Sequence, residues 1–452
     1  MATREVPIRT KLLFGVGDAA ISIKNTATNL FLLFFYADVL GAPPHWIGIA
    51  IFVGKLWDAV IDPLMGYISD NTRSSWGRRR PYLLVSAIPM AICFYLLFSP
   101  PVLSPGGTVV YLAVMGIVLF TFFSIFSTPY LAWGAELARD YHERTEVVQI
   151  RSLMGVIGGA IGAVVPVEIV KQFPNPRMGY AFVAMILASL IAVGGMTTAI
   201  GVTDPPSRQR VSTGFHHFVG GLRQTFTNRQ FGIVFGTFCL MTMSAAMGQA
   251  VQLLVIKYRL GLYESFPMIA AVFALSFAGS FPLWQGLSRR LGKHRALLCG
   301  LLLGCIAPFG WIIVQPGNLP MMLAFMVVGG MLTGSITLAA SAAADIVEMD
   351  ELHTGEKRAG AYFGIWTLGL KSASAFGTLL GGFLLTAVGY AADQTQSEQT
   401  MWWLVLIVGP LQALVHAIGF LVFRNIKLEA TDIKRIQAEL DARRAALVET
   451  PS

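Results

Sequence analysis

Apolar stretches of about 20 residues recur along the chain, and each is long enough for a helix to cross the hydrocarbon core of a bilayer. Short polar segments separate them. The pattern predicts an all-α polytopic membrane protein. Its twelve predicted spans are 13–38, 45–69, 82–100, 108–135, 150–170, 179–202, 231–255, 266–287, 296–315, 318–344, 360–388 and 401–424.

A longer polar segment separates the sixth span from the seventh, and the loops on its two sides repeat. "SDNTRSSWGRRRPYLL" follows the second span, and "LSRRLGKHRALL" follows the eighth, which is the matching position. Such duplication is typical of carriers that alternate access to the two sides of a membrane. We therefore expect two six-helix bundles, 1–202 and 231–424, with a cytoplasmic linker, 203–230, and a cytoplasmic tail, 425–452.

Composition and charge agree with a membrane protein. Hydrophobic residues make up 55% of the chain and charged residues 13%, against about 25% charged in a typical soluble protein. The net charge is +8, but the basic residues lie in alternate loops, whereas "GAPPH", "PVLSPGG" and "QPGN" carry none. This asymmetry predicts a cell-membrane protein with both termini in the cytoplasm, and it gives no sign of a nucleic-acid partner.

The second span contains the segment "KLWDAVIDPLMG", in which Asp58 and Asp62 lie one helical turn apart. Residues at this spacing face the same side of a helix. A charged side chain at mid-bilayer is costly, so a pair of acids at this depth indicates a functional site. A structural charge network with Lys55 or Lys24 is the alternative.

Around this motif the sequence resembles the glycoside–pentoside–hexuronide:cation symporters of the major facilitator superfamily. The resemblance covers nearly the whole chain and implies that superfamily's fold and secondary active transport. It implies no cofactor beyond a coupling cation, Na⁺ or H⁺, and no further metal. The matching segments are "WDAVIDPLMGYISDNTRSSWGRRRP", "TPYLAWGAEL", "ADIVEMDE", "GEKRAGAYFG" and "GLKSASAFG".

The resemblance assigns cation binding to Asp58 and Asp62. Oxygen ligands suit Na⁺, because it is a hard cation. Repulsion between two close carboxylates also favours protonation of one of them, which would permit H⁺ coupling instead. Candidate neutral ligands on the fourth span are Ser124, Ser127 and Thr128.

Three cations inside or beside the spans are candidates for the substrate site. Lys371 resembles a family lysine that faces the central cavity and could hold the two acids together when no cation is bound. Arg151 resembles a family arginine near the substrate pocket, or it forms a salt bridge at an inner gate. Lys24 is either a permanent counter-ion or a contact for an acidic group of the substrate. The remaining candidates are Asp18, Ser22, Asn25, Tyr130 and Trp366.

Charged residues near the cytoplasmic ends of the spans are expected to form gate salt bridges that close the inner face in one state. Exposed pairs contribute little each, which suits a switch between two states of similar free energy. The predicted gate residues are Asp70, Arg73, Arg78, Glu136, Arg144, Asp345 and Glu348.

The sequence departs from the melibiose-type members of the family where they clamp sugar hydroxyls. Ser22 and Ser127 stand at the positions of their acids, and Leu131 and Ile336 at those of their tryptophans. Two substrate classes stay open: another glycoside, or an amphipathic solute such as a lysolipid. A passive facilitator is the alternative mechanism.

An enzyme is not expected, because no nucleophile–base pair, phosphate-binding glycine loop or metal-ligand cluster stands out in the sequence. We expect a monomer whose partners are a small-molecule substrate and membrane lipid.

Overall fold

The computed structural model describes residues 6–137, 141–203, 228–354, 359–392 and 394–425. Within these ranges the chain folds into twelve consecutive helical rods, as the hydrophobic pattern predicts, and forms no strand. The first six are α1 (Ile8–Phe34), α2 (Pro44–Asn71), α3 (Arg80–Phe98), α4 (Pro105–Leu137), α5 (Tyr141–Val170) and α6 (Pro176–Gly201). The last six are α7 (Arg229–Arg259), α8 (Tyr263–Leu291), α9 (Lys293–Ile313), α10 (Leu319–Thr333 and Thr337–Thr354), α11 (Ala359–Ala387) and α12 (Glu398–Phe423).

Several helices extend beyond the apolar stretches that predict them. The stretch 318–344 belongs to α10, which continues to Thr354, and α1 begins five residues before its predicted start at 13. Hydropathy locates only the part of a helix inside the hydrocarbon core, and the backbone ladder continues into the polar region. By length and composition ten of the described helices can cross a membrane. The other two, α1 and α2, carry Lys24 and Asp58 inside their apolar stretches.

The last six helices contain breaks that the first six lack in the described part of the chain. In α8 the helix is interrupted at Ser280, and in α10 a 3₁₀ turn spans Gly334–Ile336. These two breaks meet, because a Cβ atom on Gly334 would collide with the Ser280 hydroxyl. Trp284 Nε1 donates a hydrogen bond of 2.7 Å to the carbonyl oxygen of Met331 across the same junction. Irregular backbone at membrane depth is tolerated where protein or a cavity surrounds it.

The two groups of six helices meet chiefly where α2 packs on α11, α5 on α8 and α1 on α7. Glycine permits the closest of these approaches. A Cβ atom on Gly382 of α11 would lie 2.5 Å from the carbonyl oxygen of Pro44 at the start of α2. Small residues allow membrane helices to approach in this way, so α2 and α11 run against each other.

Candidate transport site

Asp58 and Asp62 lie on the side of α2 that faces both α4 and α11. The ammonium of Lys371, on α11, lies between them. It donates a hydrogen bond of 2.6 Å to Asp58 Oδ2 and another to Asp62 Oδ2. All three side chains are largely buried, with exposed fractions of 7% for Asp58, 19% for Asp62 and 27% for Lys371. Two negative charges therefore share one positive charge that belongs to the other group of six helices.

Helix α4 satisfies the remaining oxygen of each acid. Ser124 Oγ donates to Asp58 Oδ1 at 2.6 Å, and Thr128 Oγ1 donates to Asp62 Oδ1 at 3.0 Å. The two hydroxyls are four residues apart, as the acids are, so the two helices present matching pairs. Ser127 is buried but forms no side-chain hydrogen bond with either acid in the described structure. Among the predicted ligands, the structure brings together Asp58, Asp62, Ser124 and Thr128.

This cluster offers four carboxylate oxygens and two hydroxyl oxygens within one turn of α2 and α4. Hard cations prefer such oxygen donors, and hydroxyls have lone pairs that can turn towards a cation. A Na⁺ ion or a proton would compete with the Lys371 ammonium for the same carboxylates. The chemistry of the residues therefore fits a transported cation.

Two further lysines near the acids point elsewhere. Lys55 Nζ donates to Thr378 at 3.0 Å and Ser374 at 3.3 Å, so its ammonium binds α11 rather than an acid. Lys24 is 1% exposed, and its Nζ lies 3.6 Å from the ring centroid of Phe123. No described carboxylate lies within ion-pair distance of Lys24, and the structure encloses its ammonium between aromatic rings, with Asn25 as its polar partner.

A cavity of about 860 Å³ lies between the two groups of helices and contains two of the predicted substrate residues, Asp18 and Ser22. Gly155 of α5 makes room for both, because a Cβ atom there would collide with the Asp18 carboxylate and lie 3.2 Å from Ser22 Oγ. Arg151 lies behind Asp18, with its Nε atom 3.8 Å from the carboxylate.

Two aromatic residues among the predicted substrate residues, Tyr130 and Trp366, lie outside this cavity. The Tyr130 ring is fully buried and stacked on Phe14, and its hydroxyl donates to the carbonyl oxygen of Phe14 at 2.8 Å. Trp366 packs on Phe238 with ring centroids 5.7 Å apart.

Comparison with known proteins shows the family of the chain. The sequence profile of the MFS/sugar transport protein family matches residues 13–430. The chain belongs to that family. The predicted resemblance is thereby confirmed, as is the prediction of a multi-pass membrane transporter rather than an enzyme.

The relatives of this MFS transporter include carriers of different solutes. The chain is 24% identical to the inner membrane symporter YicJ of Escherichia coli, with 97% of this chain and 96% of that protein covered. It is 26% identical to the isoprimeverose transporter of Lactiplantibacillus pentosus, over 88% and 84% of the two chains. It is also 24% identical to the sodium-dependent lysophosphatidylcholine symporter 1-A of Danio rerio, over 94% and 87%.

Solved structures of other transporters share the fold. The crystal structure of the nucleoside transporter NupG matches with a TM-score of 0.67 at 14% identity, and covers 92% of this chain and all of that one.

The predicted gate residues of this MFS transporter lie at the face where α1 begins and α12 ends, called the terminal face below. Here the 3%-exposed side chain of Arg79 bonds both Asp70 and Glu136, and Arg78 also bonds Glu136. Lys293 pairs with Asp345 at 2.7 Å. Each of these pairs lies within one group of six helices. Arg73 is exposed, Glu348 is half-buried on α10, and the Arg144 side chain lies outside the described residues.

The opposite face carries a polar cluster that the sequence analysis missed. Asp38 lies in the π-helical turn Phe35–Val39 that follows α1. It is 4% exposed and accepts hydrogen bonds from Lys257 at 2.6 Å and from the hydroxyls of Tyr258 and Tyr390. Lys257 and Tyr258 end α7, and Tyr390 follows α11, so all three donors belong to the second half of the chain. The only signal in the sequence was an acid at one span end and a lysine at another, on the side predicted to be extracellular. This cluster holds the two groups of helices together at the opposite face.

Proposed function

We propose that this protein is a secondary active symporter that couples the downhill entry of Na⁺ or H⁺ to the uptake of a small organic solute. The observation that carries the proposal is the position of Lys371 between Asp58 and Asp62. A cation bound to the acids would release the ammonium, and that release changes a contact between the two groups of helices. Ion binding and helix movement are linked in this way.

The proposed movement is a rocking of two six-helix bundles, 1–202 and 231–424, about the site between them. The terminal face would close as the Asp38 cluster opens, and the reverse would follow on return. The protein would act as a monomer in the cell membrane, with both termini in the cytoplasm.

The proposed solute is a glycoside, in line with the isoprimeverose transporter among the relatives. An amphipathic solute is the second candidate, and two observations favour it: the sodium-dependent lysophosphatidylcholine symporter among the relatives, and the aromatic side chains Phe273, Phe277 and Phe281 that line the cavity.

Uptake into proteoliposomes tests this function. Purified protein is reconstituted and given a Na⁺ gradient, an H⁺ gradient or neither, with labelled glycosides, a glucuronide or lysophosphatidylcholine outside. Accumulation above the external concentration under one gradient is expected. Uptake that stops at equilibrium whichever gradient is imposed would show a passive facilitator instead.

A further inference from the structure

Helices α2 and α11 carry polar side chains at the same spacing. On each helix a lysine is followed by two oxygen-bearing side chains, three and seven positions later. The two sets are Lys55, Asp58 and Asp62 on α2, and Lys371, Ser374 and Thr378 on α11. Residues at these intervals share one side of a helix. Each helix therefore presents one lysine and one pair of oxygen ligands.

Each lysine binds the pair that belongs to the other helix. Lys55 Nζ donates to Thr378 Oγ1 at 3.0 Å and to Ser374 Oγ at 3.3 Å. The ammonium of Lys371 donates to the two acids of α2. Residue numbers rise along α2 while those of the contacting residues fall along α11, so the helices are antiparallel. Two ammonium groups thus cross between the groups of helices in opposite directions.

The hydroxyl pair on α11 is oriented to accept from Lys55. Thr378 is 5% exposed, and its Oγ1 atom donates to the carbonyl oxygen of Ser374 at 3.1 Å. A hydroxyl has one hydrogen, so this bond leaves the lone pairs of Thr378 for the ammonium. The Lys55 contact therefore needs no negative charge on α11.

The two crossing contacts differ in their response to a cation. Carboxylates attract Na⁺ and take up H⁺, so a cation at the acids displaces the Lys371 ammonium. The neutral hydroxyls bound to Lys55 offer Na⁺ no compensating charge and take up no proton. One contact between α2 and α11 is therefore broken by the cation, and the other stays.

Lys55 lies between this ion pair and a region of close backbone packing. Towards the opposite face, a Cβ atom on Gly48 would lie 3.1 Å from the carbonyl oxygen of Leu379. Further along, the backbone N–H of His45 donates to Thr386 Oγ1 at 3.2 Å. Helices that approach this closely are held in register there. Released from the acids, α11 would pivot at Lys55 rather than detach from α2.

We infer that Lys55 is a positioning residue of the coupling site. It fixes the register of α11 so that Lys371 lies between the acids, and it stays bound when a cation displaces Lys371. Lys55 therefore sets how strongly Lys371 competes with the cation and does not bind the cation itself. This inference rests on the proposed function, which makes the cation the competitor of Lys371.

Cation titrations of thermal unfolding test this role on the purified full-length protein. The measured quantity is the cation concentration that gives half of the maximal rise in the unfolding midpoint. Na⁺ is varied at constant ionic strength with choline chloride, and pH is varied in a second series. Lys55→Met should lower this concentration by about fivefold, because a less firmly placed Lys371 is easier to displace. Lys55→Arg, which keeps the charge and the donors, should behave like the wild type.

A double-mutant cycle with Lys371→Met separates positioning from simple charge. A residue that acts through Lys371 has no effect on cation affinity once Lys371 is absent. The variant with both substitutions should therefore need the same cation concentration as Lys371→Met alone. Loss of a positive charge near the acids would instead lower the concentration equally in both backgrounds. Lys171→Met, from an exposed pair with Glu168, is the control and should change nothing.

The inference is overturned if Lys55→Met leaves the cation concentration unchanged or raises it, or if its effect is the same without Lys371. If Lys55→Met does not fold, Lys55→Gln, which keeps a donor without the charge, replaces it and should lower the concentration by a smaller factor. A wild type that neither cation stabilises would overturn this inference together with the cation site. Solute uptake that only equilibrates, beside the expected pattern of variants, would overturn the proposed symport and leave the role of Lys55 intact.

Discussion

The Nζ atom of Lys371 lies 2.6 Å from Oδ2 of Asp58, although the two residues are 313 positions apart in the chain. The ion pair joins α11 to α2, and the same ammonium also reaches Asp62. Removing one partner of a buried ion pair costs about 3–5 kcal/mol, because the remaining charges are left without compensation. The site therefore requires a positive charge, and a transported cation can replace the lysine in that role.

Replacing the lysine should make stability depend on the cation. Lys371→Met leaves two acids unpaired, so its midpoint of thermal unfolding should fall, and Na⁺ or lower pH should restore it. Thermal unfolding in detergent, with choline chloride holding the ionic strength constant, measures this. Lys171→Met removes a lysine from an exposed pair with Glu168 and is the matched control, expected to change little. A Lys371→Met protein that no cation stabilises would argue against competition for the acids.

The hydroxyl of Ser124 should contribute to cation affinity. Ser124→Ala removes the 2.6 Å hydrogen bond to Asp58, and a bond to a charged group is worth about 1.5–3 kcal/mol. The concentration of the coupling cation for half-maximal uptake should rise at least about tenfold. Ser189→Ala, which removes a hydroxyl that donates to the Met185 carbonyl oxygen of its own helix, serves as the control. If the variant and the wild type need the same cation concentration for half-maximal uptake, Ser124 does not contribute to cation binding.

The Asp38 cluster should hold the opposite face closed. Asp38→Asn weakens three hydrogen bonds that cross between the groups of helices, so the opposite face should open more often. The hydroxyl of Thr386 contacts His45 across this interface. The variant Thr386→Cys therefore reports opening, through the rate at which an impermeant maleimide labels the cysteine. The four native cysteines are first replaced.

Labelling in the Asp38→Asn background should be at least about tenfold faster. Glu168→Gln, an exposed change at the end of α5 near the same face, should leave the rate unaltered. Equal rates in all three proteins would mean that the cluster does not act as a gate.

Lys24 should depend on the aromatic rings that enclose it. Its Nζ atom lies 4.0 Å from the centroid of Phe120 and 3.6 Å from that of Phe123, and a buried cation–π contact is worth about 2 kcal/mol. A double-mutant cycle measures this interaction. It compares the unfolding midpoints of Lys24→Met, Phe123→Leu and the double variant. The double variant should be less destabilised than the sum of the two single changes. Strict additivity would show that ring and ammonium do not interact.

Much of this site follows from the sequence because helix periodicity is strict. The four-residue spacing of Asp58 and Asp62 puts them on one face, and the same spacing in Ser124 and Thr128 explains why both hydroxyls reach them. The position of Lys371 between the acids was expected from the family resemblance and not from spacing.

The sequence does not show which side of a helix faces another helix that is far away in the chain. Lys55 is one turn from Asp58, yet its ammonium bonds Ser374 and Thr378 of α11. The sequence does not show that α11 lies on the side of α2 that Lys55 occupies. Tyr130 packs on Phe14 and Trp366 on Phe238, each within its own group of six helices and outside the cavity. His416 of α12 lines the same cavity as Gln249 and Gln252 of α7, and no spacing in the sequence relates these residues.

The most direct test of the proposed coupling compares driven uptake with exchange in proteoliposomes that contain Asp58→Asn or Asp62→Asn. Both substitutions remove a charge and keep the side chain's shape. We predict that neither variant accumulates solute under a cation gradient, while Glu168→Gln accumulates it normally. Exchange of labelled for unlabelled solute should persist in at least one of the two variants, which would separate loss of coupling from loss of folding. Accumulation against a gradient by both variants would contradict the assignment of the cation to Asp58 and Asp62.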